Sequence, residues 1–186
     1  KAAAVRRVRF PEGLQGGVVV CSAQDVWFAS PEMVSRIVPD KTVVLVGPVG
    51  SNQTPEDDSF QKIISYLDNI YSALLDAGAW VVAVPTLLDG MGVINQDAEK
   101  TALADWVRAY ADGGTVSYEG VDFSVEAHER FLAVDTSGFD RNAMKSDVSH
   151  PNAIGARFLS AAIADGLVPR VGADGFGMGG ENAVGG

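Results

Sequence analysis

The chain has 186 residues, the length of one domain at roughly 150 residues each. Hydrophobic residues make up 47%, enough for a single core, and no apolar run approaches the roughly 18–20 residues of a membrane span. With 14 basic against 24 acidic side chains the net charge is −10, which disfavours nucleic acid and anionic lipid as partners.

Arg6-Arg7-Val8-Arg9 is a small basic cluster that reads as a solvated face or strand edge. Val18-Val19-Val20-Cys21, after Gly16-Gly17, reads as a first strand. Val26, Phe28, Met33, Val34 and Ile37 then set a helix within 25–38, with Ser30 capping Pro31. Residues 41–47 are apolar on both faces, as an interior parallel strand should be. The clearest helix covers 54–77: Thr54 caps it, Pro55 suits its first turn, and Phe60, Ile63, Ile64, Leu67, Ile70, Tyr71, Leu74 and Leu75 follow a 3.6 period. Gly78 stops it, and 80–85 is the next strand.

Residues 86–97 read as a loop, either a lid or a plain connection. A helix over about 97–111 presents Leu103, Trp106, Val107 and Tyr110, and Asp112-Gly113-Gly114 ends it. Residues 115–118 are a short strand or part of a connection, 131–134 the last core strand, and 135–149 a polar loop. The final helix starts at Pro151, shows Ile154, Phe158, Ala162 and Ile163, and stops at Gly166. The expected organisation is an α/β domain over 1–167 with a mostly parallel sheet, followed by a Gly-rich tail or linker over 168–186. Gly172 to Gly180 lacks the Lys and the flanking strand and helix of a phosphate loop.

Sites in parallel sheets lie at the carboxyl ends of strands, so the loops after Val20, Val46 and Val134 carry the candidates. The third holds Asp147-Val148-Ser149-His150-Pro151-Asn152. An Asp three residues before a His can fix its tautomer and stabilise the imidazolium, leaving the other ring nitrogen to take a proton. A helix cap beside a surface His gives the same spacing. The second holds Gly50-Ser51-Asn52-Gln53, where Gly50 permits a turn and Asn52 can offer its amide to an oxyanion; a plain turn before a helix is the alternative. Ser22 directly follows the first strand, as a nucleophile or as a hydroxyl bonded to backbone. Cys21 reads as core, His128 as surface, and Asp135 and Asp140 as loop or site residues. A lone cysteine and two histidines leave no disulfide and no Cys- or His-rich metal site, and no metal or organic cofactor is expected.

Together the loops resemble the SGNH (GDSL-type) hydrolase family. Gly50-Ser51-Asn52 stands where the family's third block reads Gly-x-Asn-Asp, with Gln53 replacing the Asp. Asp147, His150, Pro151, Asn152 and Gly155 match the fifth block. The resemblance spans about 18–167 and lacks the family's first block, since Gly-Asp-Ser occurs nowhere in the chain. It implies a flavodoxin-like three-layer α/β/α sandwich and an esterase or acyl hydrolase with a Ser-His-Asp triad. His150 would be general base, Asp147 its orienting acid, and Asn52 part of the oxyanion hole. Spacing favours 18–21 as the family's second strand, one helix before the third block, so that the first strand and its Ser are missing from this chain; the other placement makes 18–21 the first strand, with Ser22 as nucleophile. The substrate would be a small-molecule, lipid or carbohydrate ester. A catalytically silent binding or structural module of a larger assembly is the competing expectation, with a protein partner or a missing N-terminal segment completing the sheet. The chain begins with Lys1 and no signal-peptide pattern follows, so a processed start or an excerpt is expected. An extracellular setting or a larger assembly is favoured over a cytoplasmic one.

Overall fold

Short β-branched runs form a parallel sheet here because both of their faces find apolar cover. A computed structural model describes residues 17–18, 29, 31–47, 60–86, 94–146 and 150–171. Its elements are β1 (Gly17–Val18), α1 (Pro31–Val34), β2 (Val43–Val46), α2 (Phe60–Asp76), β3 (Trp80–Ala83), α3 (Ile94–Asp112), β4 (Gly114–Tyr118), β5 (Val121–Val125), β6 (Phe131–Ala133), α4 (Arg141–Met144) and α5 (Ala153–Val171).

The main sheet has the order β1-β2-β3-β6, and every neighbouring pair is parallel. Gly17 pairs with Val44 and Val18 with Leu45, so the first strand lies directly against the second. Successive strands step across the sheet in one direction. Right-handed crossovers in one direction place every connecting helix on the same face. The packing follows: Val44, Val46, Val81, Ala83 and Phe131 form one cluster with the apolar stripes of α2 and α3, and Met33 of α1 packs against it. The opposite face presents Val43, Val82, Val84, Leu132 and Val134, and α5 covers it with Leu159, Ala162, Ile163 and Leu167. The architecture is therefore α/β with a parallel sheet and helices on both faces.

Helix α2 ends as its sequence requires. Gly78 has φ +86°, its N–H donates to Leu75 O, and the Ala79 N–H donates to Leu74 O. That pair of bonds is a Schellman cap, and a side chain at Gly78 would also strike Pro39. Helix α3 starts at Ile94, inside the expected loop, and stops where Gly113 takes φ +76°.

The short strand expected at 115–118 is present as β4, and it pairs antiparallel with β5, which the sequence reading did not include, across the turn Glu119-Gly120. Other expectations need correction. The polar loop at 135–149 contains the one-turn helix α4, capped by Asp140. The last helix begins at Ala153 and not at Pro151, and it runs through the expected stop at Gly166 to Val171. Gly166 does not end it, since it lacks the positive φ that Gly78 and Gly113 take; its missing side chain instead makes room for Leu132 beneath, where a Cβ would lie 2.9 Å from Leu132 Cδ2. Ile154, expected on the buried face, is 59% exposed. Leu159 and Leu167 take that role, because the sheet sets the angle at which α5 crosses. Of the helix expected within 25–38, residues 29 and 31–38 are described, and only Pro31–Val34 is helical, with a turn at 35–36; of the strand expected at 18–21 only Val18 is described, and Ser30, Thr54 and Pro55 lie outside the described residues.

Candidate functional site

Parallel strands send all their following loops out at one edge, and that edge is where α/β proteins build sites. Among the described residues this carboxyl edge carries Gly47 after β2, Thr86 after β3 and Thr136 after β6. Each threonine lies three residues past its strand, and both are buried, at 5% and 8% exposure. Asp135 beside Thr136 is exposed, and its Oδ1 accepts the Ser137 N–H at 2.9 Å. That bond, with the Ser137 hydroxyl, holds its carboxyl below the ordinary value. Asp140 accepts from the Asn142 and Ala143 N–H groups as the cap of α4. Both aspartates shape the loop.

His150 is exposed and sits between this loop and α5. Its position is set through its backbone: the carbonyl accepts from the Ser146 N–H at 2.9 Å and from the Ser146 hydroxyl at 3.2 Å. Lys145 and Pro151 bridge antiparallel just outside it. The residue that fixes the arrangement is Asn152. Its Oδ1 accepts from the Ile154 and Gly155 N–H groups, capping α5, while its Nδ2 donates to Ala143 O and Lys145 O. Gly155 lets α5 approach: a Cβ there would run into the Met144 carbonyl oxygen and lie 3.1 Å from Phe139 Cε2. The Asn152 and Gly155 pattern was visible in sequence, and its structural reason is a cap with a close crossing. Asp147, Asn52, Gly50 and Ser22 lie outside the described residues, as do Cys21 and Gln53.

Comparison with protein-family models, with curated proteins and with solved structures finds no match. The site is therefore read from its own geometry.

Sequence reasoning passed over Lys100. It is 3% exposed in the second turn of α3, one turn before Leu103 on the apolar stripe that continues through Trp106, Val107 and Tyr110. Its signal was a cation at an apolar phase of the helix. The neighbouring Glu99 has its carboxyl pushed up, by burial first and then by the charge of Glu119. His128, expected at the surface, is half-buried; its Nδ1 accepts the Arg130 N–H at 3.2 Å, because the turn into β6 folds it back.

Three cavities among the described residues have no His150 in their lining. One of about 1240 Å³ runs between α3 and β4, one of about 660 Å³ between α2, α3 and β5, and one of about 640 Å³ beside β6 and α5. No group of three or more His, Cys, Asp or Glu among the described residues is placed to hold a metal ion. No helix among them is long and apolar enough to cross a membrane.

Proposed function

We propose that the chain is an SGNH-type ester (acyl) hydrolase domain on a flavodoxin-like three-layer α/β/α sandwich. The observation that carries this reading is the setting of His150. It comes after the last parallel strand and α4, lies three residues before the helix that covers the second sheet face, and is pinned through its own carbonyl by Ser146. A general base in an α/β hydrolase belongs at this edge. Loops leaving the parallel strands β2 and β6 depart on the same side of the sheet, and the sequence puts Asn52 in the first of them.

In the proposed reaction a serine Oγ attacks the ester carbonyl carbon while His150 accepts its proton. Asp147 stabilises the imidazolium, and Asn52, with the turn at Gly50, receives the oxyanion. Collapse expels the alcohol, which takes the proton back from His150. Water then attacks the acyl-enzyme by the same route and releases the carboxylic acid. The direct pairing of β1 with β2 favours Ser22, four residues after β1, over a serine on a strand between them. A serine outside this chain is the alternative source. The substrate class is a small-molecule, lipid or carbohydrate ester, and the chemistry calls for no metal or organic cofactor.

The test is labelling with a fluorophosphonate probe, read by intact mass and peptide mapping. A stoichiometric adduct on Ser22 that disappears in His150→Ala supports the triad. An adduct on another serine of the longest natural form, equally dependent on His150, moves the nucleophile but keeps the reaction. A folded protein that takes no adduct in either form overturns the hydrolase. One observation favours a second reading, a catalytically silent SGNH-like binding or structural module: the largest of the three cavities lies along α3 and β4, with no His150 in its lining.

A further inference from the structure

The cavity along α3 is lined by the unbroken run 114–119 and by a stripe of α3 from Ala98 to Asp112. In a strand, consecutive residues point to opposite faces, so a groove touching every residue of β4 lies along its edge and not above one face. The ladder shows which backbone groups face it. The two-residue turn Glu119-Gly120 closes the hairpin with Tyr118 opposite Val121, and both turn residues have positive φ, 50° and 78°. Tyr118, Val116 and Gly114 then exchange hydrogen bonds with β5, while the N–H and C=O groups of Thr115 and Ser117 point away from it. Outside the hairpin, no hydrogen bond to either backbone occurs among the described residues.

Edge strands are normally protected by a charge, a proline or a bulge. Gly114-Thr115-Val116-Ser117-Tyr118 has no charge and no proline, and it pairs with β5 residue for residue. Across the groove, Ala98, Ala102 and Ala109 keep the α3 wall low. The charged residues of the lining are Asp105, Asp112, Glu119 and Arg108, and Arg108 is held by Asp105 at 2.8 Å. Among the described residues the groove is thus acidic and offers two unpaired donors and two unpaired acceptors along the edge of β4.

We infer that this groove binds an extended peptide segment of a partner protein as a third strand on β4, with Lys or Arg at alternate positions of the segment facing Asp105, Asp112 and Glu119. The main chain supplies pairing at Thr115 and Ser117, and the basic side chains supply selectivity. The inference goes beyond the hydrolase reading and stands whether or not the carboxyl edge is catalytic.

The experiment uses the full chain and a short labelled synthetic peptide alternating lysine with valine or threonine. Fluorescence anisotropy reads affinity, and hydrogen exchange reads the Thr115 and Ser117 amides. The peptide binds, and both amides gain protection on saturation. Ser117→Pro removes one outward N–H at a position where an edge strand accepts proline, and weakens binding about tenfold, while Ser117→Ala stays within about twofold. Asp112→Asn weakens binding and lowers its salt dependence. A peptide with glutamate in place of lysine does not bind. Absence of binding to the wild type, equal binding of the glutamate peptide, or binding without protection at Thr115 and Ser117 would each overturn the inference. If Ser117→Pro perturbs the hairpin by circular dichroism, the amide protection in the wild type decides alone.

Discussion

At the scale of single residues, the start of α5 depends on two side-chain choices that act together. Asn152 joins the α4 loop to the first turn of α5, and Gly155 permits the distance at which they meet. Gly155→Ala forces the Met144 carbonyl to move, and the expected loss is about 1–3 kcal/mol in a urea melt. Unchanged stability would show that the crossing has slack. Tyr110 gives a pH prediction. Its hydroxyl donates to Asp68 Oδ1 at 3.1 Å and lies 3.1 Å from Ser72 Oγ. Burial first, then the Asp68 charge, push its pKa up to about 12, against the lowering effect of Ser72. The folded state holds this proton more tightly than the unfolded chain. Its contribution is therefore complete below the unfolded value of 10.0 and is lost as pH rises toward about 12. Tyr110→Phe should remove part of that alkaline fall in denaturation midpoints. The wholly buried Tyr71, also shifted up, keeps the rest.

At the scale of elements, exposure separates apolar residues that the periodicity alone ranks alike. Leu74, at 0% exposure in α2, should cost about 2–5 kcal/mol when changed to Ala. Ile154→Ala should change stability by no more than about 0.5 kcal/mol, since its side chain is 59% exposed. A large effect at Ile154 would mean that a surface outside the described residues covers it. The β4–β5 hairpin turns through Glu119 at φ 50°, a conformation that Asn adopts more readily than Glu. Glu119→Asn should therefore raise stability by about 0.5–1 kcal/mol, measured by thermal and denaturant melts.

At the scale of the whole molecule, the net charge of −10 sets the response to salt. The Arg36–Glu32 and Arg108–Asp105 pairs are solvent-exposed and contribute little. Screening then mainly relieves self-repulsion, so the melting midpoint at neutral pH should rise with sodium chloride. A fall would show that ion pairs such as Arg130–Asp40, at 2.8 Å, outweigh the repulsion. The one-way order of the sheet also matters at this scale. It puts α1, α2 and α3 on a single face and leaves the other to α5. The loop carrying His150 is thereby tied to the only helix among the described residues that covers the second face.

The sequence by itself determined where the chain alternates between strand and helix. Runs such as Val43–Val46 and the stripe from Phe60 to Leu75 carry a period that no neighbour needs to supply. It also determined where α2 and α3 stop, because Gly78 and Gly113 take backbone angles that other residues resist. The hairpin was legible in principle, from alternating runs around Glu119-Gly120. Tertiary structure alone decided which apolar positions of α5 are buried, why Gly166 lies inside a helix, and that β1 lies against β2. Those facts depend on a partner surface: the side chains of β6, the crossing of α5, and pairing between segments far apart in the chain. Of the candidate site, residue identity marked His150 and Asn152, while the burial of Thr86 and Thr136 arises only when the carboxyl edge is assembled. The open edge of β4 likewise exists only because β5 takes the other side of the ladder.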